Sequence, residues 1–213
     1  MVYTVGGIKG GSGKTTIATS FTVWLSKKRN DVLLIDADEQ ETATDFTAWR
    51  ENTLSEAGYT SVKLSGENVR TQVKNLKTKY DHIVIDTGGR DTTSQRAALF
   101  ASDVLLLPFN PRSFDIWTIT KVQKLLAEIN AVRPIPLKTY AFLNRADVRG
   151  SDNADAGDAL KDLDFIEFIP VCIGNRKAFS NAAGRGLSVM ELNPSDEKAN
   201  KEIELLFETI INK

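Results

Sequence analysis

The chain has 213 residues, 41% of them hydrophobic and 26% charged, with a formal net charge of −1. That length suits one large α/β domain (1–213) with a substantial buried core. The near-neutral charge excludes a global pull onto nucleic acid, so any such binding must come from a local patch. The lone cysteine, Cys172, excludes an internal disulfide and points to a reducing compartment. It is expected to be a small buried hydrophobe. With His82 as the single histidine, the residues argue against a zinc site. The chain runs at once into strand and loop, leaving no room for a signal peptide, and no apolar run approaches the length of a membrane span. A cytoplasmic protein is expected.

Val2–Val5 reads as a short strand, and Thr15–Lys28 as a helix. Between them lies Lys9-Gly10-Gly11-Ser12-Gly13-Lys14-Thr15-Thr16. Strand, glycine-rich loop and helix is the context in which such a run is a P-loop. Its glycines let backbone N–H groups turn inward around an anion, and the helix N-terminus adds partial positive charge. Lys14 is placed to reach terminal phosphates, and the Thr15 hydroxyl to bind Mg²⁺.

Asp31–Ile35 is a continuous apolar run of the kind found in strands covered on both faces, and it ends in Asp36-Ala37-Asp38-Glu39-Gln40. Carboxylates at a strand's C-terminal end sit where open α/β sheets bind ligands. Thr42–Ala57 is predicted helical, with Phe46 and Trp49 on one face. Tyr59–Leu64 is a candidate strand, and Glu67–Tyr80 a helix carrying Val69, Val73 and Leu76. His82-Ile83-Val84-Ile85-Asp86 is a buried strand closed by an aspartate, a Walker B pattern, followed by a flexible turn, Thr87-Gly88-Gly89-Arg90.

Val104–Leu107 is the next strand, ended by Pro108, and Ser113 is placed to cap a helix running to about Asn130 with Trp117 and Leu125 on it. Leu137–Leu143 is a strand stopping at Asn144-Arg145. Arg149–Asp158 reads as a loop entering a helix, Asp164–Ile169 as the last strand, and Lys177–Ala183 as a short helix closed by Gly184 and Gly186. Asp196–Ile211 is a terminal helix with Ile203, Leu206, Phe207 and Ile210 on one face. Strands alternating with helices predict an α/β fold, a doubly wound, mostly parallel sheet flanked by helices.

Phosphoryl transfer needs a phosphate cradle, a metal and an oriented water. The cradle is Gly10, Gly11, Ser12, Gly13, Lys14, Thr15 and Thr16; the metal candidates are Thr15, Asp86 and the Asp36-Ala37-Asp38 pair. The loop departs from the common form, with Ile8 in place of a glycine and the added Lys9. In this it resembles the ParA/MinD superfamily of deviant Walker A P-loop ATPases, closest to the short ParA types with no helix-turn-helix before the loop. Asp36-Ala37-Asp38-Glu39-Gln40 is similar to that family's Asp-x-Asp-Pro-Gln signature, with Glu39 replacing the proline. Pro108–Asp115 resembles its Pro-x-x-Pro-x-x-x-Asp segment.

The resemblance implies the P-loop NTPase fold, ATP and Mg²⁺ as ligands, and weak, partner-stimulated hydrolysis. It places Lys9 across a dimer interface on the partner's nucleotide, Asp36 near the magnesium waters, Asp38 on the nucleophilic water, and Asn144-Arg145 at the adenine. Asn144-Arg145-Ala146-Asp147 also looks like a guanine-recognition motif, so GTP stays open. The expected partners are a second copy of the chain, non-specific DNA, and a small centromere-binding or cargo-adaptor protein. Basic residues of the C-terminal third, chiefly Arg149, Arg176 and Lys177, are the candidate DNA contacts. The terminal helix, with Glu202, Glu204 and Glu208, argues against a membrane anchor. Plasmid partition is the leading reading. Alternatives are positioning of another cargo, such as a microcompartment or protein cluster, or a metabolic P-loop enzyme, against which Lys9 argues.

Overall fold

In the computed structural model, residues 1–111, 116–147, 152–161 and 163–213 are described, apart from the side chains of Ile116, Trp117 and Asp152. The strands are β1 (Val2–Val5), β2 (Val32–Asp36), β3 (Thr60–Lys63), β4 (His82–Asp86), β5 (Val104–Phe109), β6 (Lys138–Ala146) and β7 (Glu167–Gly174). They form one seven-stranded sheet in the order β3-β2-β4-β1-β5-β6-β7, and every pairing is parallel. The helices are α1 (Lys14–Lys27), α2 (Thr42–Leu54), α3 (Asn68–Leu76), α4 (Thr93–Ala101), α5 (Ile116–Ala131), α6 (Asp152–Lys161), α7 (Lys177–Ala183) and α8 (Glu197–Ile211).

Successive strand residues point to opposite faces, and the core divides accordingly. Tyr3, Val5, Leu34, Val84 and Leu106 pack with Ile17 and Phe21 of α1 and with Phe207 and Ile210 of α8. On the other face, Leu33, Ile35, Ile83 and Ile85 meet Val69 and Val73 of α3 and Ala97 and Ala98 of α4. Leu105, Leu107, Ala141 and Leu143 meet α5 and α6. Both faces of the inner strands are covered, which is why they read as unbroken apolar runs. β1 lies near the centre, and the P-loop leaves its C-terminal end, where strand order reverses and such sheets bind ligands.

Several elements differ from the sequence reading. Helix α4, unforeseen, follows the Gly88-Gly89 turn; Thr92 caps it, its side chain accepting from the Gln95 N–H at 3.2 Å. β5 runs through Pro108 to Phe109, because beyond Leu106 it has no β1 neighbour and a residue without an N–H is tolerated. β6 includes Asn144 and Arg145, and β7 begins at Glu167 and continues to Gly174, later than expected. Cys172 is exposed, not buried: on edge strand β7 it faces out between the buried Val171 and Ile173. Trp49 is 58% exposed although Phe46 is buried, so the two do not share a core face. Ser113 and the second half of Pro108–Asp115 (112–115), Arg149 and the Trp117 side chain lie outside the described residues.

Residue 50 holds α2 in place. The Arg50 guanidinium, 5% exposed, donates to the Ala57 carbonyl at 2.7 Å and to both Glu191 oxygens at 2.7 and 2.9 Å. Burial alone would raise the Glu191 carboxyl, but Arg50, the Ser188 N–H and Lys27 outweigh it and hold that carboxyl below its usual range. Gly186 at φ 66 brings the chain so close that a Cβ there would stand 2.2 Å from the Arg50 backbone nitrogen. No helix among the described residues is long and apolar enough to cross a membrane.

Candidate nucleotide site

The loop after β1 is shaped by glycine at two decisive positions. Gly11 (φ 78) and Gly13 (φ 89) adopt the left-handed conformation. Gly13 also has no room for a side chain, since a Cβ would stand 2.3 Å from the Asn144 Nδ2. That nitrogen donates to the Ser12 carbonyl at 2.7 Å, and Asn144 is 4% exposed. Asn144, expected at a base, thus uses its amide N–H on the loop itself, 132 residues away in sequence. No side chain caps α1 at Gly13 and its first turn carries no acid, so the N–H groups of that turn are left for an anion.

The Lys14 ammonium is buried and donates to the Lys9 carbonyl at 2.9 Å. Burial lowers its pKa, partly offset by the nearby Asp86 and Asp38 charges. Beneath it, Asp36 and Asp86 are register partners at the ends of adjacent strands, both 0% exposed. They are engaged very differently. Asp36 accepts from the Asp38 N–H at 3.1 Å and from the Thr44 N–H and hydroxyl, each at 2.8 Å. It holds the Ala37–Gln40 turn against the start of α2.

Asp86 has neither carboxylate oxygen in a hydrogen bond of good geometry among the described residues. Burial pushes its carboxyl up to about 8, against the easing effect of the Thr15 hydroxyl; Asp36 adds to the rise and Lys14 opposes it. A buried carboxylate with so little hydrogen bonding is costly, and a divalent cation beside Thr15 would satisfy it. The residues therefore fit Mg²⁺, with Thr15 and Asp86 able to hold it.

Asp38 is half-buried, its Oδ1 accepting from the Gln40 N–H at 3.2 Å. Gly88 makes room for it, because a Cβ there would meet that oxygen at 3.0 Å. Gly89 presses on the P-loop: its Cβ would stand 2.6 Å from the Gly10 nitrogen and 2.9 Å from the Lys9 carbonyl carbon. The glycine pair read as a flexible turn is thus a close contact. These pieces surround a cavity of about 640 Å³, lined by Gly10, Gly11, Gly13–Thr16, Ala37–Gln40, Gly88–Arg90 and Arg145. That volume suits a ligand of nucleotide size. Arg145 reaches this wall from a left-handed backbone (φ 55) at an irregularity in β6.

Of the anticipated cradle, Gly10, Gly11, Gly13, Lys14, Thr15, Thr16, Asp38 and Arg145 face the cavity. Ser12 is buried against Asn144, while Lys9 lines a small adjoining hollow with Phe109. Asp147 does not line the cavity. Sequence reasoning missed Thr44 and the packing of Gly88 and Gly89; the adjacent glycines were the available signal for the latter.

A family model, the CobQ/CobB/MinD/ParA nucleotide binding domain, matches residues 3–189. The chain belongs to this family. Among relatives, the Halothiobacillus neapolitanus maintenance of carboxysome distribution protein A is 26% identical over 211 residues, covering 97% of this chain and 94% of that protein. The fold is like that of a Cyanothece McdA in complex with ATP, with a TM-score of 0.79, 19% identity, and 98% of this chain and 95% of that one covered. It is also like a putative plasmid partition protein of Borrelia burgdorferi bound to AMPPNP, with a TM-score of 0.73, 20% identity, and coverage of 99% and 96%.

In this member of the CobQ/CobB/MinD/ParA family the candidate DNA contacts stand away from the cavity. Arg176 is bound to Glu202 by two hydrogen bonds, Nε to Oε2 at 3.0 Å and Nη2 to Oε1, and Glu202 also accepts from the Gly174 N–H. Its guanidinium ties β7 to α8. Lys177, at the start of α7, is exposed, as are Arg185, Lys198 and Lys201.

Proposed function

We propose that this chain is a ParA-type ATPase: a single-domain protein that dimerises on ATP, binds DNA without sequence preference, and uses partner-stimulated hydrolysis to position a cargo. One observation carries the reading. The loop holds two lysines, Lys14 buried and lining the cavity together with Asp38, and Lys9 in the adjoining hollow, while Asp86 is buried with neither oxygen in a hydrogen bond of good geometry among the described residues.

In this scheme Gly10–Thr16 bind the phosphates through backbone N–H groups and Lys14. Thr15 and Asp86 hold Mg²⁺, which supplies charge neutralisation on the phosphate oxygens. Asp36 acts as a positioning residue, because its bonds to Thr44 and the Asp38 N–H orient the turn. Asp38 holds the attacking water and receives its proton. Arg145 borders the base, with ATP preferred to GTP because Asp147 lies off the cavity. Lys9 bridges to the nucleotide of a second copy, offsetting the repulsion of two facing triphosphates. Lys177 and its exposed basic neighbours contact DNA phosphates, a sequence-independent and salt-sensitive interaction. The protein is then cytoplasmic, and on the nucleoid when ATP-bound.

Two cargoes are supported. Plasmid partition agrees with the fold likeness to the Borrelia protein, and a carboxysome-like protein body with the 26% identity to the Halothiobacillus relative. The test is light scattering with duplex-DNA binding under ATP, ADP and no nucleotide. Wild type should dimerise and bind DNA only with ATP, and Lys9→Ala should bind ATP yet stay monomeric and off DNA. Equal DNA binding in all three states, or none in any, overturns the reading.

A further inference from the structure

Arg90 has no role in the scheme above, yet it lines the same cavity as Lys14, Thr15 and Asp38. Its position is set by Gly89, whose Cα lies so close to the Lys9–Gly10 backbone that any side chain there would collide with it. The next residue must therefore leave from the mouth of the loop. On the same turn, Gly88 abuts the Asp38 carboxylate, so Arg90 belongs to the wall where the terminal phosphate would react.

The guanidinium is also uncommitted. The acid beside it in the chain, Asp91, accepts from Arg96 Nε at 2.7 Å and from Nη2 at 2.6 Å. Arg96 further pairs with Glu128 at 2.9 Å. Arg96 thus engages both Asp91 and Glu128, and among the described residues no carboxylate or carbonyl is hydrogen-bonded to Arg90. An exposed arginine with no hydrogen-bond partner among the described residues, lining the cavity of the proposed phosphate cradle, has the planar donor fork that matches phosphate oxygens.

We propose, resting on the nucleotide-site reading above, that Arg90 grips the terminal phosphate of the nucleotide held in its own P-loop and so distinguishes a nucleoside triphosphate from a diphosphate. Lys14 serves the cradle as a buried cation; Arg90 adds an exposed one on the lining of the same cavity. Its backbone follows directly on a turn packed against the loop, so the side chain starts from a fixed point beside the cavity.

The experiment is calorimetry with Mg²⁺ and either AMPPNP or ADP, on wild type, Arg90→Ala and Arg90→Lys. Thermal melts without nucleotide serve as the folding control, and Arg90 makes no bond whose loss should move them. Arg90→Ala should lose about tenfold in AMPPNP affinity, the worth of a charge-assisted contact at a partly open site, with ADP affinity unchanged. Arg90→Lys should fall between. The same loss should persist in a Lys9→Ala background, which removes the proposed dimer bridge. Equal weakening of both nucleotides, no weakening of either, or a loss that vanishes in the Lys9→Ala background overturns the assignment while leaving nucleotide binding intact. A wild type that binds neither nucleotide overturns both this assignment and the reading beneath it.

Discussion

Replacing Asp86 by asparagine should stabilise the metal-free protein and weaken its response to Mg-ATP. Asp86 is fully buried beside Asp36, with no hydrogen-bond donor of good geometry on either oxygen among the described residues, and its carboxyl is pushed up from 3.8 to about 8. A folded-state value above the unfolded one means the native protein holds the proton more tightly. The contribution of this group to stability is therefore greatest below about pH 4 and falls as pH rises towards 8. At 1.36 kcal/mol for each tenfold in proton affinity, keeping this group neutral at pH 7 costs on the order of 4 kcal/mol. Asparagine is neutral at every pH and of similar size, so Asp86→Asn should gain roughly 2–4 kcal/mol at pH 7, or about 5–15 °C in Tm for a chain this long. The assay is thermal and urea melting at pH 5 and pH 7.5, in chelator and then with Mg-ATP. Wild type should lose stability between the two pH values and regain it with Mg-ATP. The variant should do neither to the same degree. A variant less stable than wild type at pH 7.5 in chelator, or a wild type flat between the two pH values, refutes the reasoning.

Asp38→Ala should keep ATP affinity while turnover falls by about a hundredfold or more, read from phosphate release; unchanged turnover would remove Asp38 from the water. Because Glu202 engages Arg176, Arg176→Ala disturbs the β7–α8 tie as well as any DNA contact. Lys177→Ala is the cleaner probe: it should weaken duplex binding for all sequences and lower the salt slope by about one, without moving the melt. Gly186→Ala should cost roughly 2–4 kcal/mol, because it combines a left-handed φ with a backbone collision on α2. Gly184→Ala, where the nearest atom is 3.5 Å away and φ is −63, should be near neutral or slightly stabilising. Similar denaturation midpoints for the two would refute the close approach of Gly186 to α2.

The loop from Lys9 to Thr16 was legible as a glycine turn between strand and helix because everything it needs is local: glycines for positive φ, a strand before, a helix after. The same holds for the acids ending Val32–Asp36 and His82–Asp86, where a buried strand becomes a ligand-facing loop, and for Lys177–Ala183, whose helix ends at glycines. Periodicity along a segment records which face of it is buried, and that survives in sequence alone. Helix α4 escaped because its periodic signal is short and follows directly on a glycine turn.

What lies opposite what is a different matter. The strand order β3-β2-β4-β1-β5-β6-β7 decides that Asp36 and Asp86 stand side by side, one satisfied by Thr44 and the other without a hydrogen bond of good geometry among the described residues. It also decides that Asn144 seals Gly13, that Gly89 lies on Gly10, and that Glu202 takes Arg176. Cys172 and Trp49 faced solvent for the same reason, since the neighbour that would have covered each is chosen by the packing of distant segments. Local pattern determined the elements and the chemistry each could carry. Only long-range packing, which no local pattern encodes, determined which side chains were spent on structure and which were left to meet a ligand.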